Sequence, residues 1–215
     1  MISEENQTEQ TDPRWQRRKE ERPGEILKAA LECFAESGFA ATKLDEIAKR
    51  AGVTKGTLYL YFQSKEDIFK SVVREEIVKN IAHVEEIAAD ESHSSAEILE
   101  QMFKFWAQVF LKTRIGAVPK LILSEGKNFP EISRFYLEEV IQRGFRLLGG
   151  VLQRGIDGGE FRPLNVENTV KCIIAPVIFS LLWKHSLESH CDKKLDVKSL
   201  VQTHFDLILN GLSNK

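Results

Sequence analysis

The sequence predicts an all-α protein: an N-terminal three-helix helix-turn-helix domain, a long connecting helix and a second helical domain, about nine helices in total. Three observations carry this reading. Apolar residues recur at helical spacing in segment after segment, and no segment shows the alternation that a half-buried strand needs. Glycines and capping residues (Ser64, Asn165, Asp196) punctuate those segments at their ends. Finally, Thr42 to Lys65 (TKLDEIAKRAGVTKGTLYLYFQSK) holds two short helical patterns on either side of Gly52. Leu44, Ile47, Ala48 and Ala51 make one apolar face, Val53, Leu58 and Tyr61 resume it, and the small Ala48 allows the helices to cross closely.

Residues 1–12 lack hydrophobic periodicity and are expected to be disordered. Arg14, Arg17, Arg18, Lys19 and Arg22 follow as a basic arm, so the expected units are 1–22, a helix-turn-helix domain at 23–70 and a helical regulatory and dimerisation domain at 71–215. Helix one begins near Pro23, a residue suited to a first turn, buries Ile26, Leu27, Ala30, Leu31, Phe34 and Ala35, and stops at Gly38. Thr42 is expected to cap helix two, and Ser64 a fourth helix reaching about Ala88, roughly 35 Å long at 1.5 Å per residue. Helix five carries Ile98, Met102, Phe103, Phe105, Trp106, Val109 and Phe110, too broad an apolar face for a two-sided surface helix. A short LILSEG helix follows, then one ending in GIDGGEFRP. The last two helices are apolar around much of their circumference, and burying them calls for a partner copy. The expected dimer contacts are Val170, Ile174, Val177, Leu181, Leu200, Phe205 and Ile208. Pro176 is expected to kink its helix.

A formal net charge of -2 excludes a uniformly basic nucleic-acid coat. Positive charge is instead local: Lys43, Lys49, Arg50, Lys55 and Lys65 face only Asp45 and Glu46 within the central stretch. The N-terminus is polar and acidic, and no apolar run looks long enough to span a bilayer, so a soluble cytoplasmic protein is expected. Cys33, Cys172 and Cys191 are widely spaced, which suits a reducing compartment and small-hydrophobe packing.

Thr42, Ile47-Ala48, Ala51-Gly52-Val53-Thr54, Gly56, Tyr59, Phe62 and Lys65 together resemble the N-terminal domain of the tetracycline-repressor (TetR) family of bacterial transcription regulators. The resemblance covers roughly residues 23–70 and implies a homodimer that binds a near-palindromic DNA operator and answers to a small-molecule effector. It places Thr42, Thr54, Tyr61 and Lys65 where phosphates are contacted, and Lys55, Gly56, Thr57 and Tyr59 on the face presented to the major groove; Lys43 adds to the same basic surface. Independently of the resemblance, a reading helix of about two turns offers few side chains to base edges, so two copies are needed for useful discrimination. Aromatic residues Phe103, Trp106, Phe110, Phe135, Tyr136, Phe179 and Trp183 are the candidates for lining an apolar effector pocket.

The residues speak against other classes. GVTKGT lacks P-loop order and GIDGGE reads as a helix stop, so neither is a nucleotide fingerprint, and no catalytic constellation assembles. His185, His190 and Cys191 are close in sequence, but the two histidines, five apart, face different ways; no metal or cofactor is expected. The alternatives are a helical enzyme or a protein-binding adaptor without DNA affinity, and the adaptor would leave Lys43, Lys55 and Lys65 without purpose.

Overall fold

The computed structural model describes residues 13–214, with side chains placed from Glu21 onward; the disorder expected for residues 1–12 lies outside them. Helix α1 runs Pro13–Ala41 and is interrupted at Gly38, whose φ of 80° supplies the expected stop. The basic arm expected ahead of this helix is a correction: the backbone over 13–22 is part of α1, and Pro23 sits inside it. Helices α2 (Leu44–Arg50) and α3 (Lys55–Tyr61) follow. Between them Gly52 takes φ 67°, its N–H donates to Lys49 O at 3.2 Å, and Val53 N–H reaches back to Ala48 O at 2.9 Å. That is a Schellman termination, so the glycine sets the turn of the helix pair.

Helix α4 (Lys65–Val73) passes through a π turn at Arg74–Val78 into α5 (Lys79–Ala89), giving the long rod anticipated from sequence. Helix α6 (Ser95–Trp106) opens on a reciprocal capping box between Ser94 and Glu97 and ends in a second π turn, Ala107–Leu111. A 3₁₀ turn (Arg114–Gly116) leads into α7 (Ala117–Glu125). Helix α8 (Pro130–Tyr136) runs through a third π turn, Leu137–Ile141, into α9 (Gln142–Asp157), and α10 (Val166–Ser186) and α11 (Val197–Leu212) complete the chain. With runs joined by π turns counted once, the described residues form nine helical rods and no strand, only an isolated bridge between Phe161 and Ser213.

Two large clusters make the core. The first joins Ile26, Phe34 and Phe39 of α1, Ile47, Leu58 and Phe69 to Val118, Leu121, Ile132 and Tyr136 of α7 and α8. The helix-turn-helix unit therefore shares one continuous core with the domain that follows, and no apolar boundary falls at residue 70. The second cluster unites α6, α9, α10 and α11 through Ile98, Phe103, Leu152, Phe161, Ile173 and Leu212.

Helix α10 overturns two expectations. By length and composition it could cross a membrane, with mean hydropathy 1.4 over an 18-residue window, 22% of it buried in the protomer. Its stripes are also exchanged relative to the reading from sequence. Val170, Val177 and Leu181, expected at a dimer interface, are buried within the protomer, while Ile174 lines a cavity. Phe205 packs its ring 5.9 Å from that of Phe103, Ile208 packs on the second cluster, and Leu200 borders a small recess with Pro176. Conversely Phe179, expected in the pocket, is 61% exposed, and its ring lies 6.1 Å from that of Trp183. Helix α10 continues unbroken across Pro176, whose carbonyl accepts the Ser180 hydroxyl at 2.7 Å.

Candidate nucleic-acid interface and apolar cavity

Helix α3 is positioned by its buried side. Leu58 and Phe62 sink into the first cluster, so the opposite face is presented outward. Thr54 caps the helix by accepting Thr57 N–H at 3.1 Å, and the two hydroxyls lie 2.9 Å apart. Lys43, Thr54, Lys55 and Gly56 are exposed, and Tyr59 is 50% exposed. Lys55 Nζ rests 3.0 Å from Asp45, whose hydrogen bond and charge hold the ammonium pKa above its ordinary value. Tyr61 is half-buried against the first cluster. The residue that spacing alone missed is Leu60, 82% exposed on the turn after Gly56. A large apolar side chain held out to solvent beside a basic helix start suits contact with a thymine methyl group. Its signal in the sequence was a leucine off the buried stripe of α3.

Two expected phosphate contacts are corrected. Thr42 is 2% exposed, and its hydroxyl points at Gly38 O (2.6 Å) and Cys33 O (3.2 Å). The residue at the N-cap of α2 is Lys43, without a side-chain cap. Lys65 turns inward as well: its ammonium donates to Phe39 O (2.6 Å), Ala40 O (3.1 Å) and Thr42 O (3.1 Å) and lies 4.6 Å from the centroid of the Phe39 ring. All three protons are engaged, and burial pushes its pKa down. Lys65 therefore ties the end of α1 to the start of α4.

The same turn is held from the other side by α7. Glu125 accepts Phe39 N–H at 2.9 Å and Ala40 N–H at 2.6 Å, and its Oε1 sits 2.5 Å from where a Cβ on Gly38 would lie. A second polar tie joins α1, α2 and the turn before α7: Glu36 receives Arg50 at 2.7 Å and Arg114 at 2.9 Å. These hydrogen bonds, Arg50 first, lower the Glu36 pKa from 4.5 to about 2. A carboxylate depressed in this way stabilises the fold above its unfolded pKa and loses that contribution as pH falls through the folded one. Acid titration should therefore show a stability step between about pH 4.5 and 2 that Glu36→Gln removes, read by thermal melts at fixed salt.

Behind α7 lies a cavity of about 350 Å³. Of the expected lining residues, Phe103, Trp106, Phe110 and Tyr136 border it; Phe135, Phe179 and Trp183 do not. Phe135 instead lies under the Arg74 guanidinium, 4.8 Å from ring centroid to Cζ. The rest of the wall is mostly aliphatic, including Ile77 and Ile81 of the rod, Pro119 and Ile122 of α7, Val140 and Ile174, with Phe145 as a further ring. No charged side chain is on it. Leu123, 63% exposed yet on the wall, marks where the cavity reaches the surface. Among the described residues no cluster of three or more metal-ligating side chains occurs.

Comparison with known proteins agrees with this geometry. The sequence profile described as "Bacterial regulatory proteins, tetR family" matches residues 26–72. The chain is 28% identical over 201 residues to the "Fatty acid metabolism regulator protein" of Bacillus subtilis, covering 92% of this chain and 100% of that one. It is 26% identical over 196 residues to the "HTH-type transcriptional repressor KstR2" of Mycobacterium tuberculosis, covering 90% and 94%. The crystal structure of the transcriptional regulator FadR from Bacillus subtilis in complex with stearoyl-CoA superposes with a TM-score of 0.74 at 27% identity, covering 87% of this chain and 98% of that one. An exposed reading helix on a Schellman-turned helix pair, an all-helical body and these relatives together support a DNA-binding transcriptional regulator similar to those of the TetR family.

Proposed function

We propose that the protein represses transcription as a homodimer on a near-palindromic operator and leaves the DNA when a long apolar effector fills the cavity. The observation that carries this reading is the shared core: the cavity wall on α7 and the turn that starts α2 belong to one packed unit, clasped by Glu125. The outward stripe of α10, with Phe179 and Trp183, and the exposed Leu207 of α11 are the surfaces offered to the partner copy, in place of the buried Val170, Val177 and Leu181. The relatives favour an effector with a fatty-acyl tail, since one is named for fatty acid metabolism and another was crystallised with stearoyl-CoA. A regulator acting on the chromosome works in the bacterial cytoplasm.

Gel shift on DNA upstream of its own gene, with and without stearoyl-CoA, tests the reading. Retention on that DNA and release by the thioester are expected, and retention unaffected by any long-chain acyl compound overturns the sensing half. The interface has its own test. Lys55→Ala should lower the slope of log K against log salt by about 0.9 for each phosphate that Lys55 neutralises, on operator and random DNA alike. An unchanged slope would remove Lys55 from the phosphates.

A further inference from the structure

We propose that the cavity selects uncharged acyl compounds, esters or thioesters, over free carboxylates, and that the Tyr136 hydroxyl makes the selection by donating a hydrogen bond to the acyl carbonyl oxygen. This rests on the reading of the cavity as the effector site and goes further, to the polar chemistry that decides what enters.

The wall is almost wholly hydrocarbon, and its polar side-chain groups are the Tyr136 hydroxyl, the Asn80 carboxamide and the Trp106 indole N–H. Tyr136 has no hydrogen-bond partner among the described residues. The sealed polar side-chain atoms without a partner are Ser133 Oγ, Arg154 Nη2 and His185 Nε2. The Tyr136 oxygen is not among them, so it opens on the cavity rather than on packed protein. Asn80 spends one amide proton on Glu76 O at 2.5 Å, leaving the other for a guest. Neutral donors thus dominate the wall's polar chemistry. Burial raises the Tyr136 pKa above its ordinary value, so the phenol keeps its proton.

Neutral donors in a low-dielectric wall suit a neutral acceptor. A carbonyl oxygen accepts the phenol proton and asks for no counter-charge. A carboxylate in the same place would be a buried charge without a cation, which is far more costly than an unmet dipole. An alkane fills the hydrocarbon space but offers the Tyr136 hydroxyl no acceptor. The charged head of a thioester ligand would remain outside, past Leu123, where the wall meets solvent.

The test uses the purified full-length protein and displacement of Nile red, an uncharged apolar dye, by methyl dodecanoate, dodecanoate and dodecane at about pH 8, where the acid is ionised. The ester should displace the dye at a concentration about tenfold lower than either the carboxylate or the alkane. Tyr136→Phe keeps the ring and its packing, should bring the ester to within about threefold of the alkane, and should leave the alkane unchanged. Equal displacement by ester and carboxylate in the parent protein, or a full ester advantage retained in Tyr136→Phe, overturns the proposal. If neither dye nor alkane enters, the effector-site reading itself fails. If the alkane displaces the dye and the ester has no advantage, only the selection by Tyr136 fails.

Discussion

Lys65→Ala should destabilise the DNA-reading half of the molecule by about 2–4 kcal/mol, because it removes a charged donor from three carbonyls at once, two of them in part-buried hydrogen bonds. The cation over the Phe39 ring is lost with it. Urea unfolding at fixed protein concentration measures the loss, the fixed concentration mattering because dimerisation contributes to apparent stability. Operator affinity should fall with the folded fraction, whereas the slope of log K against log salt for the protein that remains folded should not change. A lysine on a phosphate would behave oppositely, with unaltered unfolding and a shallower slope. Lys65→Met, which keeps the apolar stem against Phe39, should recover part of the packing but none of the hydrogen bonds to the carbonyls.

Gly144→Leu should produce a regulator that binds operator normally and no longer releases it. Gly144 lies inside α9 on the cavity wall, and a Cβ added there meets nothing within 4 Å, so a side chain can enter without displacing protein. Replacing a helical glycine by leucine also favours the helix by up to about 1 kcal/mol. The expected result is a thermal midpoint equal to or above that of the parent and a stearoyl-CoA concentration for half-release raised at least about thirtyfold, since a ligand shifts an equilibrium only by its difference in affinity for the two states. Half-release at the parent concentration would place the effector elsewhere.

How much of this was legible in the sequence depends on what each residue had to reveal. Gly52, Thr54 and the alternation of Ile47, Ala48 and Leu58 are local signals, since turn and cap chemistry act over a few residues, and the structure places them as read. Lys65 and Thr42 looked like surface cation and cap because the carbonyls they serve lie within α1 and the turn that ends it, partners that spacing cannot show. Helix α10 failed differently. It is apolar on nearly every side, so its pattern contains no phase, and only packing against α7 and α9 decides that Val177 and Leu181 face inward and Phe179 outward. Four of the seven aromatic pocket candidates border the cavity because they sit on α6, its π turn and α8, which enclose it; Phe135, one position before Tyr136, points to Arg74.

The three π turns share a location. Each contributes to the cavity wall: Ile77 from the first, Phe110 from the second, Val140 and Ile141 from the third. A π turn accommodates one more residue than the α-helical turn it replaces and advances every later side chain by about 100° around the axis. The wall is therefore built from rods whose register is reset where the cavity needs room. Capacity in this protein is governed by chain length as well as by side-chain size: a one-residue deletion in the first or third of these segments, each of which continues into a further helix, would restore an ordinary helix and rotate a different set of side chains into the space.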